Sequence, residues 1–263
     1  MSTEHNGGDT TVSSHASDCF RLPVFETAHN AVLLLWQRRA ALLRITWLPA
    51  AAYALLEVGN IYAPGALSWL CWALQLLPFV WFAVGVHRLV LTGPEAVNRT
   101  WSSRETRFAW LVVGVYLMVG IASITLALGA AVLGVSAVGD GEFVQLVFVY
   151  LLLAPGMYLF ARLALVFPAV ALDTPADVNW AWDTSKGNGW RLTAVTALPL
   201  LAWLPMGYLL AWIDSELVDF IWTFVGFVVT AYEVALLSVS YRAFEAASPT
   251  DWARGSRTAE EPA

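Results

Sequence analysis

The sequence predicts an all-α fold, a polytopic membrane helical bundle of six transmembrane helices with two short interfacial helices. Of the 263 residues, 59% are hydrophobic and 13% are charged. Soluble domains contain roughly 45–50% apolar and 25% charged residues, so an aqueous fold of this length could not cover the apolar surface. The other two indications are long runs without a charged residue and an alternation of charge between the connections that join them.

The uncharged runs define the predicted spans. About twenty residues, each adding 1.5 Å, cross a hydrocarbon core of about 30 Å. Four runs free of Asp, Glu, Lys and Arg are long enough for this crossing, and two further apolar segments carry charges inside them or at their edges. Together they predict helices at residues 42–60, 66–90, 107–136, 143–171, 190–212 and 217–245.

Basic residues gather on alternate connections and so predict an orientation. The connections near residues 61–66, 137–142 and 213–219 contain no Lys or Arg. Basic residues instead precede the first span, follow the second and fourth spans, and close the last. The positive-inside rule then places both termini in the cytoplasm. We expect the cationic side chains of this inner side to contact membrane lipids of the inner leaflet: Arg38, Arg39, Arg88, Arg104, Arg107, Lys186 and Arg191.

Three regions make up the predicted domain organisation. Residues 1–22 are rich in Ser, Thr, Gly, His and Asp and lack the basic start and apolar segment of a signal peptide. They are predicted to form a disordered cytoplasmic tail. Residues 23–246 form the six-helix membrane domain, and residues 247–263 form a second disordered cytoplasmic tail.

Two segments of the membrane domain are predicted to lie on the membrane rather than cross it. Residues 24–40 place apolar side chains on one face and polar side chains opposite, which indicates an amphipathic helix on the inner leaflet. Residues 174–187 predict a second interfacial helix, with Thr174 as its N-cap and Gly187 at its end. Ser102 and Glu105 also fit a capping box at the start of the third span.

Arg162 is a charged residue within the otherwise apolar fourth span. An arginine at the centre of a bilayer costs about 2.5–3.5 kcal/mol on insertion scales, and less where the side chain can bend toward the surface. Two interpretations stay open: the guanidinium reaches phosphates of the inner leaflet, or it has a buried partner. Pro155 and Gly156 predict a kink or break in the same span.

Glu233, in the last span, is the candidate partner of Arg162. It shares a helix face with small and polar residues, and that face is expected to point into the bundle because carboxylates facing lipid are disfavoured. The other members of the face are Gly226, Thr230, Leu237 and Ser240. A pair of Arg162 and Glu233 would be either a structural ion pair or a charge on a solute path, and on this interpretation Glu233→Gln lowers the thermal stability.

Neither a cofactor nor a catalytic centre is predicted. The four histidines, at positions 5, 15, 29 and 87, are scattered, and no two have the spacing of metal ligands. The sequence contains no phosphate loop, nucleophile elbow or hydrolytic acid pair, so enzymatic activity is not expected. A net charge of −6 does not favour a nucleic-acid partner.

The segment RLALVFPAVALD, followed by AWDTSKGNGWRL, carries a family resemblance. It resembles six-span bacterial membrane proteins related to the membrane domain of glycerophosphoryl diester phosphodiesterases, including the uncharacterised YciC-like inner-membrane family. The residues that carry the resemblance are Arg162, Pro168, Ala181, Ser185, Gly187, Trp190 and Arg191. The resemblance implies a helical module of the bacterial inner (plasma) membrane. It does not imply phosphodiesterase activity, because this sequence holds no equivalent of the soluble catalytic barrel.

Two classes of function follow from these predictions. The first is a non-catalytic membrane module that interacts with lipids or with a protein partner of the cell envelope, which suits the two interfacial helices and the basic inner side. The alternative is a small-solute transporter or channel with a polar path through Arg162 and Glu233. A polar cavity that exposes both residues would favour transport, whereas a closed and dry pair would favour the structural module.

Overall fold

The computed structural model describes residues 20–97, 100–132, 154–210 and 216–247, and these residues form helices and turns without a β-strand. A short 3-10 helix, Pro94–Ala96, follows the fourth α-helix. In chain order, the α-helices are α1 Val24–Gln37, α2 Arg39–Tyr62, α3 Ala66–Leu74, α4 Leu76–Thr92, α5 Ser103–Val132, α6 at residues 154–163, α7 Val166–Ala171, α8 Val178–Thr184, α9 Gly189–Leu210 and α10 Glu216–Ala247.

Within these described ranges, five helical segments are long and apolar enough to cross a membrane. They are Arg39–Tyr62, Ala66–Thr92, Ser103–Gly129, Ala154–Ala171 and Val225–Ala247. In the first and third of them only 11% of the apolar window is buried inside the chain. Apolar surface on this scale requires an apolar solvent, so the chain is a multi-pass membrane protein.

The sixth predicted crossing corresponds to α9. This helix has 22 residues, which is long enough to span a bilayer. The side chains of residues 202–210 lie outside the part of the chain that the structure describes, so the total of six spans stays a prediction.

Prolines interrupt two of the predicted spans. The span predicted at 66–90 is divided into α3 and α4 at Gln75. Pro78 has no N–H to donate to the carbonyl four residues earlier, which belongs to Leu74, and α3 ends there. Pro168 stands in the same relation to Ala164, where the chain turns between α6 and α7. Pro155 and Gly156 lie at the start of the described part of α6, and the kink or break expected there would involve residue 151, which lies outside the described residues.

The core of the molecule lies where α4, α7 and α10 meet. Helix α4 packs against α2, α5 and α10, and α10 also contacts α1, α7 and α9. All six residues of α7 are buried. The largest buried side chains come from different helices and pack together, among them Phe82, Phe108, Leu165 and Leu236. Helices α2 and α5 have wide exposed apolar surfaces, although α5 contributes Phe108 to the core.

The predicted tail boundary at residue 22 is wrong for residues 20–22. Leu22 is completely buried, and the ring of Phe20 lies 5.3 Å from that of Phe244. The Asn188 side chain holds this segment: its oxygen accepts from the Leu22 N–H at 2.8 Å, and its nitrogen donates to the Phe20 carbonyl at 2.8 Å. The remainder of the predicted N-terminal tail lies outside the described residues, as do residues 248–263 of the predicted C-terminal tail.

The helix predicted at 24–40 is present as α1, which ends at Gln37, and its interfacial position stays a prediction, whereas the helix predicted at 174–187 begins later. The N-cap of α8 is Asp177, whose side chain accepts from the Trp180 N–H at 2.7 Å. Thr174 instead belongs to the end of α7: its N–H donates to the Ala169 carbonyl in a Schellman motif, with Asp173 at a left-handed φ of 61°.

The predicted capping box of the third span is present. The Glu105 carboxylate accepts from the Ser102 N–H at 2.7 Å, and the Ser102 hydroxyl oxygen accepts from the Arg104 N–H at 3.3 Å. Glu105 is buried, which is consistent with its use as a structural cap rather than a surface charge.

Candidate functional site

Arg162 lies near the end of α6 and is bound by the neighbouring helix α8. Its side chain is only 6% exposed. The Nε atom donates to the Ser185 hydroxyl at 2.8 Å, and a second guanidinium nitrogen donates to the Trp182 carbonyl. The guanidinium carbon also lies 3.5 Å from the centre of the Trp182 ring, and the Tyr158 hydroxyl is 3.5 Å from Nη1. We call these four residues the arginine latch.

The arginine latch supplies hydrogen-bond donors to the Trp182 carbonyl, which receives none from the backbone N–H groups that follow α8. Trp182 lies in the last turn of α8, where carbonyls lack helical donors. The backbone N–H groups of Ser185 and Lys186 donate to the carbonyls of Ala181 and Asp183, so neither binds the Trp182 carbonyl. The Arg162 guanidinium and the Ser185 hydroxyl supply the missing donors. A cation at a helix C-terminus is also favoured by the helix dipole.

Other arginines use the same arrangement at the end of α4. Arg38, between α1 and α2, donates to the Leu89 carbonyl and lies 3.4 Å from that of Val90. Arg242, on α10, donates to the Leu91 carbonyl. The junction between α1 and α2 and the helix α10 are therefore held to the last turn of α4 by guanidinium groups that bind backbone oxygen.

Four of the predicted inner-leaflet cations bind the protein itself. Besides Arg38, these are Arg88, which donates to the Ala171 carbonyl at 3.2 Å, and Arg191, which donates to the Leu22 carbonyl at 2.9 Å. The fourth, Arg104, donates to the Asp173 carboxylate from Nε at 2.9 Å. These side chains hold helix ends and turns, which is a role that the sequence did not predict for them.

The other three predicted contacts are exposed. Arg39 stacks over the Trp36 ring at 5.1 Å and donates to the Trp36 carbonyl at 3.0 Å. Lys186 is 70% exposed and forms an ion pair with Asp183 at 2.8 Å. Arg107 is exposed on the first turns of α5. Lipid contact by these cations stays a prediction.

A cavity of about 300 Å³ lies between α4, α5, α6, α7, α9 and α10. Its wall is mostly apolar and rich in aromatic rings, and its volume is at the lower end of the range for small-molecule pockets. The polar side chains that reach the wall are His87, Tyr116, Ser123, Thr196, Thr230 and Glu233. The predicted inward face of the last span is confirmed, because Thr230, Glu233 and Leu237 all line this cavity.

The predicted pair of Arg162 and Glu233 is not formed. Among the described residues, the ion pairs involve Arg104 and Lys186, and neither Arg162 nor Glu233 belongs to one. The physical reason is that the latch turns the guanidinium toward α8, whereas Glu233 lines a cavity whose wall does not include Arg162. A polar path through both residues is therefore not observed.

His87 is a site residue that the sequence reasoning missed. It is 1% exposed, and its Nδ1 lies 2.8 Å from the Ser238 hydroxyl oxygen. The signal was present in the spacing, since Phe79, Ala83 and His87 recur every fourth residue and all line the cavity. Gln75 was also missed as a cross-helix donor: its amide donates to the Glu57 carboxylate.

Fold and site together define a multi-pass membrane protein with an aromatic, acid-bearing cavity inside its helical bundle. Comparison of the chain with protein-family models, with curated proteins and with solved structures finds no match. The family resemblance carried by Arg162, Ser185 and their neighbours therefore stays a prediction.

Proposed function

We propose that the chain is a six-span protein of the bacterial inner membrane with both termini in the cytoplasm, and that it acts as a non-catalytic module in contact with lipids of the inner leaflet. The resemblance to the membrane domain associated with glycerophosphoryl diester phosphodiesterases supports a helical module of this kind. A membrane protein of the cell envelope is the second type of partner that such a module would serve.

The observation that carries the proposal is that some of the cations bind backbone carbonyls of the protein, whereas others are exposed. Arg38, Arg88 and Arg162 donate to backbone carbonyls, so they stabilise the bundle. The cations that are exposed, Arg39 and Arg107 among them, lie on the side that the charge distribution assigns to the cytoplasm. Exposed cations at this depth attract anionic lipids, by about 1 kcal/mol for each Lys or Arg near the surface.

The surface of α1 supports the same proposal. Phe25 is 84% exposed and Trp36 is 68% exposed, although both are large apolar side chains. The Arg39 guanidinium lies over the Trp36 ring. An aromatic ring beside a cation suits the headgroup level, where the ring meets acyl chains and the charge meets phosphate.

The transporter alternative has less support. It requires Arg162 on a polar path, whereas this side chain is 6% exposed and is held by Trp182 and Ser185. The contacts that Arg162 makes with α8 account for an arginine at this position, and no transported solute is needed to explain it.

The proposal is tested by the unfolding temperature of the purified protein in vesicles. We expect phosphatidylglycerol to raise this temperature more than phosphatidylcholine, because the exposed cations bind anionic headgroups. A triple variant, Arg39→Gln, Arg107→Gln and Lys186→Gln, is expected to lose the difference between the two lipids and to match the wild type in phosphatidylcholine. Equal stabilisation of the wild type by both lipids, or a triple variant that keeps the preference, would contradict the proposal.

A further inference from the structure

The wall of the cavity combines several aromatic rings. Phe108 and Phe167 have ring centres 5.3 Å apart, and Tyr116 and Phe160 have centres 5.7 Å apart. All four side chains line the cavity together with Phe79. An aromatic face attracts a cation placed within about 6 Å of the ring centre, and it also packs against apolar groups.

The polar side chains at the cavity are the Glu233 carboxylate, which accepts hydrogen bonds, the His87 imidazole and four hydroxyls. Nδ1 of His87 lies 2.8 Å from the Ser238 hydroxyl oxygen, which is also 2.9 Å from the Val234 carbonyl oxygen, so this nitrogen is bonded within the protein. The Thr196 hydroxyl is likewise used, because it donates to the Leu192 carbonyl at 3.0 Å. A ligand that binds the Glu233 carboxylate would have to supply a hydrogen-bond donor.

The negative charge of Glu233 also favours a ligand that supplies hydrogen-bond donors. Of the described residues that line the wall, Glu233 is the acidic one, and none is Lys or Arg. Glu233 takes part in no ion pair with another described residue, and Arg162, its predicted partner, is held by α8. A carboxylate in apolar surroundings gains most from a cation that brings its own hydrogen-bond donors.

We propose that this cavity binds an organic ammonium ion with an apolar, aryl-bearing body, whose nitrogen donates to Glu233 and whose body packs against the aromatic wall. The inference goes beyond the lipid-facing role proposed above and does not depend on it. A phospholipid headgroup is a poorer occupant, because its phosphate would meet Glu233 and would find no cation among the described residues of the wall. The volume of about 300 Å³ also limits the occupant to a small molecule.

The test is isothermal titration calorimetry of the full-length protein in phosphatidylcholine nanodiscs, with empty nanodiscs as the reference. The ligands are phenylbutylamine, which is cationic, phenylbutanol, which is uncharged, and phenylbutyrate, which is anionic. We expect the wild-type protein to bind the amine about ten- to a hundredfold more tightly than the alcohol, and the anion least tightly. Equal affinity for the amine and the alcohol would overturn the proposal.

Three variants test whether the preference for the amine over the alcohol arises in the cavity. Glu233→Gln is expected to bind the amine and the alcohol equally, whereas Glu245→Gln, the same change at an exposed position of α10, is expected to keep the wild-type preference. Val112→Phe, which fills the wall, is expected to weaken binding of both ligands at least tenfold. A Glu233→Gln protein that retains the preference would overturn the proposal. Should that variant fail to fold, unweakened binding by Val112→Phe would overturn it instead.

Discussion

Arg162 binds neutral groups of α8 and forms no ion pair with another described residue. It has five donors in a planar fork, and α8 offers a hydroxyl, an open carbonyl and an indole face at matching positions. The sequence predicted a buried residue with a partner as one of two possibilities, and it pointed to Glu233 because carboxylates are visible in a sequence. Backbone carbonyls are present at every residue, so the sequence gives no sign of which one is open.

Arg162→Lys keeps the charge and removes the fork, so we expect the free energy of unfolding to fall by about 2–3 kcal/mol. Ser185→Ala removes one acceptor of the latch and is expected to cost about 1–2 kcal/mol. The double variant should cost less than the sum, because both changes break the same hydrogen bond. Denaturant unfolding in detergent measures all three, and an Arg162→Lys protein as stable as the wild type would contradict the latch.

Glu233→Gln is expected to leave the free energy of unfolding within about 1 kcal/mol of the wild type, since it breaks no ion pair that the structure describes. This reverses the expectation that followed from pairing with Arg162. Arg162→Gln in the same assay is the matched comparison and should be destabilising by about 2 kcal/mol or more. Similar large losses for both variants would indicate that the two side chains do interact.

At the scale of helices, the sequence predicted existence and position well and internal breaks poorly. The capping box at Ser102 and the amphipathic pattern of α1 are local signals, and both are confirmed. The start of α8 was placed at Thr174 because Thr-Pro resembles a helix start, but the Thr174 N–H closes the end of α7 instead. The turn before α7 depends on Pro168 and was not predicted, because most prolines in membrane helices produce only bends.

The Asn188 side chain forms two hydrogen bonds that hold the residues before α1 to the start of α9. Asn188→Ala is expected to raise amide hydrogen exchange at residues 20–22 by about tenfold or more, because a loss of roughly 1–3 kcal/mol lets this segment open. Asn30→Ala, a matched change on α1, should leave exchange at these residues unchanged. Exchange in Asn188→Ala that equals the wild type would show that packing of Leu22 alone holds the segment.

At the scale of the molecule, composition predicted a membrane protein because the apolar fraction exceeds what one aqueous core can bury. The structure shows a difference between the helices that the composition cannot predict. Helix α7 is wholly buried, whereas α2 and α5 present most of their apolar surface outward. The cavity was not predicted, because its wall is assembled from several helices whose relative rotation is set by packing. Only the face of Glu233 and Thr230 could be assigned to the interior in advance, since a carboxylate facing lipid is disfavoured.

The central claim is that the chain crosses the membrane repeatedly with its basic connections in the cytoplasm, and cysteine labelling in intact bacterial cells tests it most directly. In a background carrying Cys19→Ser and Cys71→Ser, single cysteines are introduced by Glu95→Cys and by Asp140→Cys, and a membrane-impermeant maleimide is applied. We predict that the Asp140→Cys protein is labelled in intact cells and that the Glu95→Cys protein is labelled only after permeabilisation. Labelling of the Glu95→Cys protein in intact cells, with protection of the Asp140→Cys protein, would contradict the account.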